Sequence, residues 1–248
     1  MSEWPKETVL KTVVAARRPQ VRILSPPPAC AKASAGKPDG TSDMRFYLSS
    51  YKLGNETERL KRLVPKGRIG YIPNALDFAG PDPNWLEKYI EQDMDSLREL
   101  GVKVDLLNLR DYFGKQDKLR NKLEEIGAIF ISGGNTFVLR QAMRLSGLDE
   151  ILKELREQSD FLYAGYSAAG AVLAPSLKGV ELVDRPEMPY VELKEVIWEG
   201  LGFIAFSFLP HWDSDHPESA DVEKEMEYCK RNNIPFKAIR DGEVIIIA

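Results

Sequence analysis

The chain has 248 residues, 43% of them hydrophobic and 29% charged, with a formal net charge of −4. That composition belongs to a globular protein able to bury a sizeable core, and the acidic balance excludes a surface built for nucleic acid or a polybasic membrane patch. The only cysteines, Cys30 and Cys229, lie far apart in unlike contexts, so cysteine spacing defines neither a disulfide framework nor a metal site.

Residues 1–43 differ from the rest. They contain Arg17-Arg18-Pro19-Gln20, Pro26-Pro27-Pro28 and a stretch rich in Gly, Ser, Lys and Asp, without sustained helical or strand periodicity. Such a segment buries too little surface to offset its ordering entropy, and a disordered tail is expected. Gln20-Val21-Arg22-Ile23-Leu24 also resembles the in-frame translation of a transfer-RNA T-arm, which points to an over-extended gene start and a native start at Met44.

From Met44 the chain reads as one catalytic domain, 44–248, of alternating strands and helices. A strand-like run covers 44–50, and a second strand covers 68–72 before Pro73. Leu86, Ile90, Met94, Leu97 and Leu100 recur at helical spacing over 84–100, with Gly101 as the stop. A strand follows over 103–108, then a helix marked by Leu119, Leu123 and Ile126 that Gly127 closes, then a buried strand over 128–132. Two helices are predicted over 136–145 and 148–157, a strand over 161–165, and a small-residue helix from Ala168. Later strands fall near 206–209, 236–239 and 244–247, with a helix over 218–232. Strands separated by helix-length segments predict an α/β fold with a mainly parallel sheet flanked by helices, whose chemistry sits at the carboxyl ends of the strands. No apolar run reaches the roughly 18 residues of a membrane span and no secretory h-region is evident, so a cytoplasmic protein with no membrane partner is expected.

Three motifs sit at such strand ends. Gly165-Tyr166-Ser167-Ala168-Ala169-Gly170 follows an apolar strand and leads into small residues, the setting of a nucleophile elbow. A sharp turn there would raise Ser167 at a helix N-terminus, where amides and the helix dipole stabilise a developing anion. A serine in this place can also be a plain helix cap. Ser132-Gly133-Gly134-Asn135-Thr136-Phe137 follows another strand, and its tandem glycines leave backbone N–H groups open to a ligand, while Asn135 or Thr136 can cap the next helix. The segment 208–218 carries both histidines of the chain. His211 directly follows a strand and is the candidate general base; His216, before Pro217 and Glu218, reads as part of a helix start. Asp213 and Asp215 could join the histidines around a metal, but they read more simply as helix caps, and no metal or cofactor is expected. The acid that would orient His211 is sought between Ser167 and His211, where Asp184, Glu187 and Glu192 are the candidates.

Taken together, these motifs resemble the peptidase E and cyanophycinase family of serine peptidases, from Met44 nearly to the C-terminus. The resemblance is carried by residues 133–137, by 165–168 with Pro175 eight residues after the serine, and by Pro210-His211. It implies a class I glutamine amidotransferase-like fold with a nucleophile elbow. Ser167 would be the nucleophile, His211 the base, and the amides of Ala168 and of Gly133 or Gly134 the oxyanion donors, with Asn135 and Thr136 at the substrate. Peptidase E carries an aspartate before Met-Pro as its third member; here Glu187 precedes Met188-Pro189, with Asp184 as the alternative. Ala169 departs from the family's usual Ser-Ala-Gly, which leaves open an inactive binding or regulatory module on the same scaffold. A glutamine amidotransferase is disfavoured because serine replaces the thiol. The implied substrate is a short peptide with a free N-terminus; a homodimer is left open. Asp213, Asp215 and Glu218 near His211 should favour a substrate ammonium and oppose a second acidic group, unless Arg185 or Lys178 points inward.

Overall fold

The computed structural model describes residues 44–79, 83–158 and 160–248. The expectations for residues 1–43 lie outside the described residues. A six-stranded sheet runs in the order β3 (Lys103–Leu106), β2 (Arg68–Ile72), β4 (Ala128–Ile131), β5 (Leu162–Tyr166), β1 (Arg45–Ser49), β8 (Val244–Ile247). All neighbours are parallel except β8, which closes the β1 edge antiparallel. The expected mainly parallel sheet is therefore the one observed.

The central strands are apolar on both faces because helices cover both. Along β4, Ile129 and Ile131 enter one core with Leu48, Leu139 and Leu173, while Ala128 and Phe130 enter a second with Tyr47, Ile69 and Leu97. Such two-sided burial turns a strand into a continuous apolar run. Helices α2 (Pro83–Glu99), α3 (Gln116–Ile126), α4 (Thr136–Ser146) and α5 (Leu148–Gln158) lie within a residue or two of the periodic spans, apart from an earlier start for α3. Gly127 ends α3 in the left-handed conformation at φ 77°, as its place after the last apolar residue predicts.

The differences are local. The strand expected over 103–108 stops at Leu106, because the Asn108 side chain accepts the Arg110 amide and starts a 3₁₀ turn. Helix α1 (Thr57–Leu63) buries only Leu60, too little apolar periodicity for the sequence to announce it. Strands β6 (Ser207–Leu209) and β7 (Phe236–Ala238) form a separate parallel pair, packed with α7 (Ser219–Arg231) rather than added to the main sheet.

Candidate active site

The turn after β5 is sharp. Ser167 has φ 50° and ψ −107°, a strained conformation for a residue with a Cβ, between β5 and the single-turn helix α6 (Ala168–Ala171). Strain of this kind costs roughly 1–3 kcal/mol and persists only where the surroundings enforce it. They do so through glycine. A Cβ on Gly165 would lie 2.5 Å from both the Ala169 Cβ and the Ile131 carbonyl oxygen. Ala169, the departure from the family pattern, is fully buried and occupies the space that Gly165 leaves.

The glycine loop after β4 faces this turn. A Cβ on Gly133 would stand 2.5 Å from the Tyr166 ring and 3.2 Å from the Ser167 Cβ, so only glycine lets the two loops approach. Gly134, at φ 132°, is hemmed in by the Ala75 carbonyl. The amides of Gly133, Gly134 and Ala168 donate to no backbone acceptor among the described residues, whereas the next one, of Asn135, bonds to Ala75 at 2.8 Å. Three unspent donors thus lie on the two loops at the serine.

Asn135 is committed elsewhere. Its side chain accepts the Val138 amide at 3.0 Å, capping α4, and donates to the Arg185 carbonyl at 2.7 Å. The amide of Thr136 donates to Asp184 at 2.8 Å. Asp184 therefore sits at the start of α4, and burial pushes its carboxyl up to about 6 against the pull of the Thr136 hydrogen bonds. Glu187 is exposed; its backbone carbonyl accepts from Gln141. Neither Asp184 nor Glu187 makes a hydrogen bond to His211.

The residue beside His211 is Asp241. His211 Nδ1 and Asp241 Oδ1 are 2.7 Å apart. The buried Ser50 hydroxyl donates to that same oxygen at 2.8 Å and accepts the His211 amide at 2.8 Å. Burial raises the Asp241 carboxyl, but the His211 hydrogen bond and charge, with the Ser50 hydroxyl, outweigh it and hold the group below the ordinary carboxylate range. The pairing of β6 with β7 produces this contact. Leu209 registers with Ala238, and Trp212 extends the pairing to Ile239, so the residues just beyond the two carboxyl ends lie side by side. Asp241 lies beyond both Ser167 and His211, outside the interval where the acid is expected; its position just past the strand expected over 236–239 is the signal in the sequence that marks it.

β1 carries both halves to one place. The Ser49 carbonyl accepts the Ser167 amide at 3.1 Å, and the next residue, Ser50, holds the His211 amide and Asp241. The Ser167 hydroxyl has no hydrogen-bond partner among the described residues. Serine–histidine bonds in unliganded enzymes are often long and tighten on substrate.

His216 stacks on His211, with ring centroids 3.7 Å apart and planes at 12°, and burial followed by the His211 charge pushes its imidazole down to about 4. It accepts the Glu218 amide at 3.3 Å, as its expected place at a helix start requires. Ligand atoms of His211, His216 and Glu218 lie within 4.8 Å of one another. Stacked rings hold their in-plane lone pairs in two nearly parallel planes, so a shared ion would require one ring to tilt. Asp213 is exposed and paired with Arg240 at 2.5 Å, and Asp215, Arg185 and Lys178 are exposed. Of the three carboxylates expected to colour the site, Glu218 is the one that lines the cavity at Ser167.

The model of peptidase family S51 matches residues 50–248. The chain belongs to peptidase family S51. Its sequence is similar to peptidase E of Streptomyces coelicolor, 33% identical over 187 residues, covering 72% of this chain and 68% of that protein. A Drosophila melanogaster protein named "Probable alpha-aspartyl dipeptidase" is 28% identical over 161 residues, covering 63% of this chain and 62% of the other. A solved structure assigned to peptidase E, from Listeria monocytogenes, superposes with a TM-score of 0.65 at 22% identity, over 83% of this chain and 95% of its own, and shares the fold. The S51 chain is thus a serine-type peptidase, as the three motifs implied. Among its described residues no helix is long and apolar enough to cross a membrane.

Proposed function

We propose that this S51 peptidase is a dipeptidase working through Ser167, His211 and Asp241. Ser167 attacks the carbonyl of the first peptide bond, and His211 takes its proton and passes it to the leaving amine. Water then hydrolyses the acyl-enzyme by the same route. Asp241 receives the Nδ1–H of His211, leaves Nε2 as the base, and stabilises the imidazolium. The amides of Ala168 and of Gly133 or Gly134 receive the oxyanion.

The observation that carries this reading is the hydrogen-bonded chain Asp241–His211–Ser50 placed one residue from the carbonyl that holds the strained Ser167. Short peptides as substrates are supported by the names of the relatives, peptidase E and alpha-aspartyl dipeptidase. The good fit of Ala169 beneath Gly165 supports an intact elbow rather than an inactive module.

A fluorophosphonate probe followed by peptide mapping tests it, together with a dipeptide library. Ser167 should carry the adduct, and Ser167→Ala should lose both labelling and hydrolysis. An adduct elsewhere, or a Ser167→Ala protein that still cleaves dipeptides, would refute the reading.

A further inference from the structure

A cavity of about 20 Å³ opens beside Ser167, between α6, α7 and the 3₁₀ turn Val180–Leu182. That is room for roughly one water-sized group. Ser167, Ala168 and Ala171 form one wall, and Val180, Phe208 and Val222 keep the others apolar. Three acidic residues also line it: Asp184, Glu218 and Glu225. Glu218, the residue that precedes α7, and Glu225 within it share one face at helical spacing, with Val222 between them. No Lys or Arg lines the cavity.

Glu225 is the telling member. It is 4% exposed, and its carboxyl has neither a hydrogen-bond partner nor a cation among the described residues. A buried carboxyl left in this state is costly unless something outside the chain completes it. Burial, then the neighbouring Asp184 and Glu181, push Glu225 up to about 8; burial, then Asp184, Asp221 and Asp241, do the same for Glu218. The cluster therefore lacks a positive charge of its own.

We propose that this cavity is a subsite for a primary ammonium group of the substrate, received by Glu225, Asp184 and Glu218. The assignment rests on Ser167 being the acylated residue. An ammonium group matches a water in size and offers donors to three carboxyls that otherwise have few. The α-ammonium of a peptide lies two bonds from the carbonyl that Ser167 attacks, and Ser167 is itself a wall of the cavity. A lysine ε-ammonium shares the chemistry, but its four-carbon stem needs more than one water's space. The same cavity offers no cation to an acidic side chain of the first residue.

The test uses the full chain and fluorophosphonate labelling of Ser167, which needs no assumption about substrate. Ethylammonium chloride should slow labelling at least threefold relative to ethanol plus sodium chloride at matched ionic strength. Glu225→Gln, compared with its own labelling rate in ethanol plus sodium chloride, should lose that protection. Dipeptides then separate the sources. For the α-ammonium, Ala-Leu should exceed N-acetyl-Ala-Leu and N-acetyl-Lys-Leu in kcat/KM by tenfold or more, with Glu225→Gln shrinking the gap through KM. Recovery of rate with N-acetyl-Lys-Leu that Glu225→Gln removes would assign the site to the side-chain ammonium. Equal labelling with ethylammonium and ethanol, or a free-to-acetylated ratio unchanged by Glu225→Gln, would overturn the subsite while leaving Ser167 in place. Failure of Ser167 to label at all would overturn the reading beneath it.

Discussion

Asp241, beside His211, and Glu225, on the cavity at Ser167, are two carboxyls of one site in opposite conditions. Asp241 is half-buried yet held as an anion, because His211 and Ser50 both donate to it. Glu225 is more deeply buried, unpartnered, and pushed up to about 8. Burial raises both; hydrogen bonds decide which one keeps its charge. The difference separates two tasks. An acid that orients a base must be ionised and fixed before substrate arrives, whereas an acid that receives a cation gains its partner only then.

Replacing the base tests the catalytic side with the largest effect. His211→Ala should lower kcat by about 10⁵- to 10⁶-fold, since nucleophile and base act as a unit. His216→Ala, which removes only the stacked neighbour, should stay within about tenfold. A larger loss from His216→Ala would move the base to His216 and dissolve the contrast with Asp241.

Packing at the elbow comes next. Gly165→Ala places a methyl against Ala169 and the Ile131 backbone, and overpacking of this kind costs typically 1–3 kcal/mol. The expected result is a lower unfolding midpoint in denaturant and slower labelling of Ser167. The double variant Gly165→Ala, Ala169→Gly should recover part of both; no recovery would mean that Ala169 is not what fills the space left by Gly165.

The smallest effect concerns Glu225 and pH. Its folded value of about 8 lies above the ordinary glutamate value of 4.5. Between these values the folded protein holds a proton that the unfolded chain has released. Stability should therefore fall as pH rises through that window, and the loss should be complete above about 8. Glu225→Gln removes this slope, so its melting temperature relative to wild type should increase by a few degrees from pH 5 to 8.5. A constant difference across that range would show that Glu225 is already paired.

What was legible follows from how each contact is made. Ser167 stood out because the elbow is local: strand, glycine, serine and small residues are consecutive, and the backbone there answers to near neighbours. The glycine loop was legible for the same reason. The sheet was readable because β2, β4 and β5 are apolar runs between amphipathic helices. Asn135 looked available for substrate because a cap and a ligand group are the same residue type; its two hydrogen bonds are visible only once Val138 and the loop at Arg185 are in place. Asp241 was missed because its contact with His211 depends on β6 pairing with β7 across the intervening residues 210–235, as the register of Leu209 with Ala238 shows. Glu225 gave no signal at all, since a glutamate on a polar helix is usually solvated, and only the packing of α7 on β6 and on the 3₁₀ turn Val180–Leu182 buries it.

The most direct measurement of the central claim is kcat/KM for Asp241→Asn beside Glu187→Gln, on a dipeptide that the wild-type enzyme cleaves. If Asp241 orients His211, Asp241→Asn should fall on the order of 10⁴-fold, because the wrong tautomer is then favoured, while Glu187→Gln stays within about threefold of wild type. A near-normal Asp241→Asn enzyme beside an inactive Glu187→Gln enzyme would contradict the account.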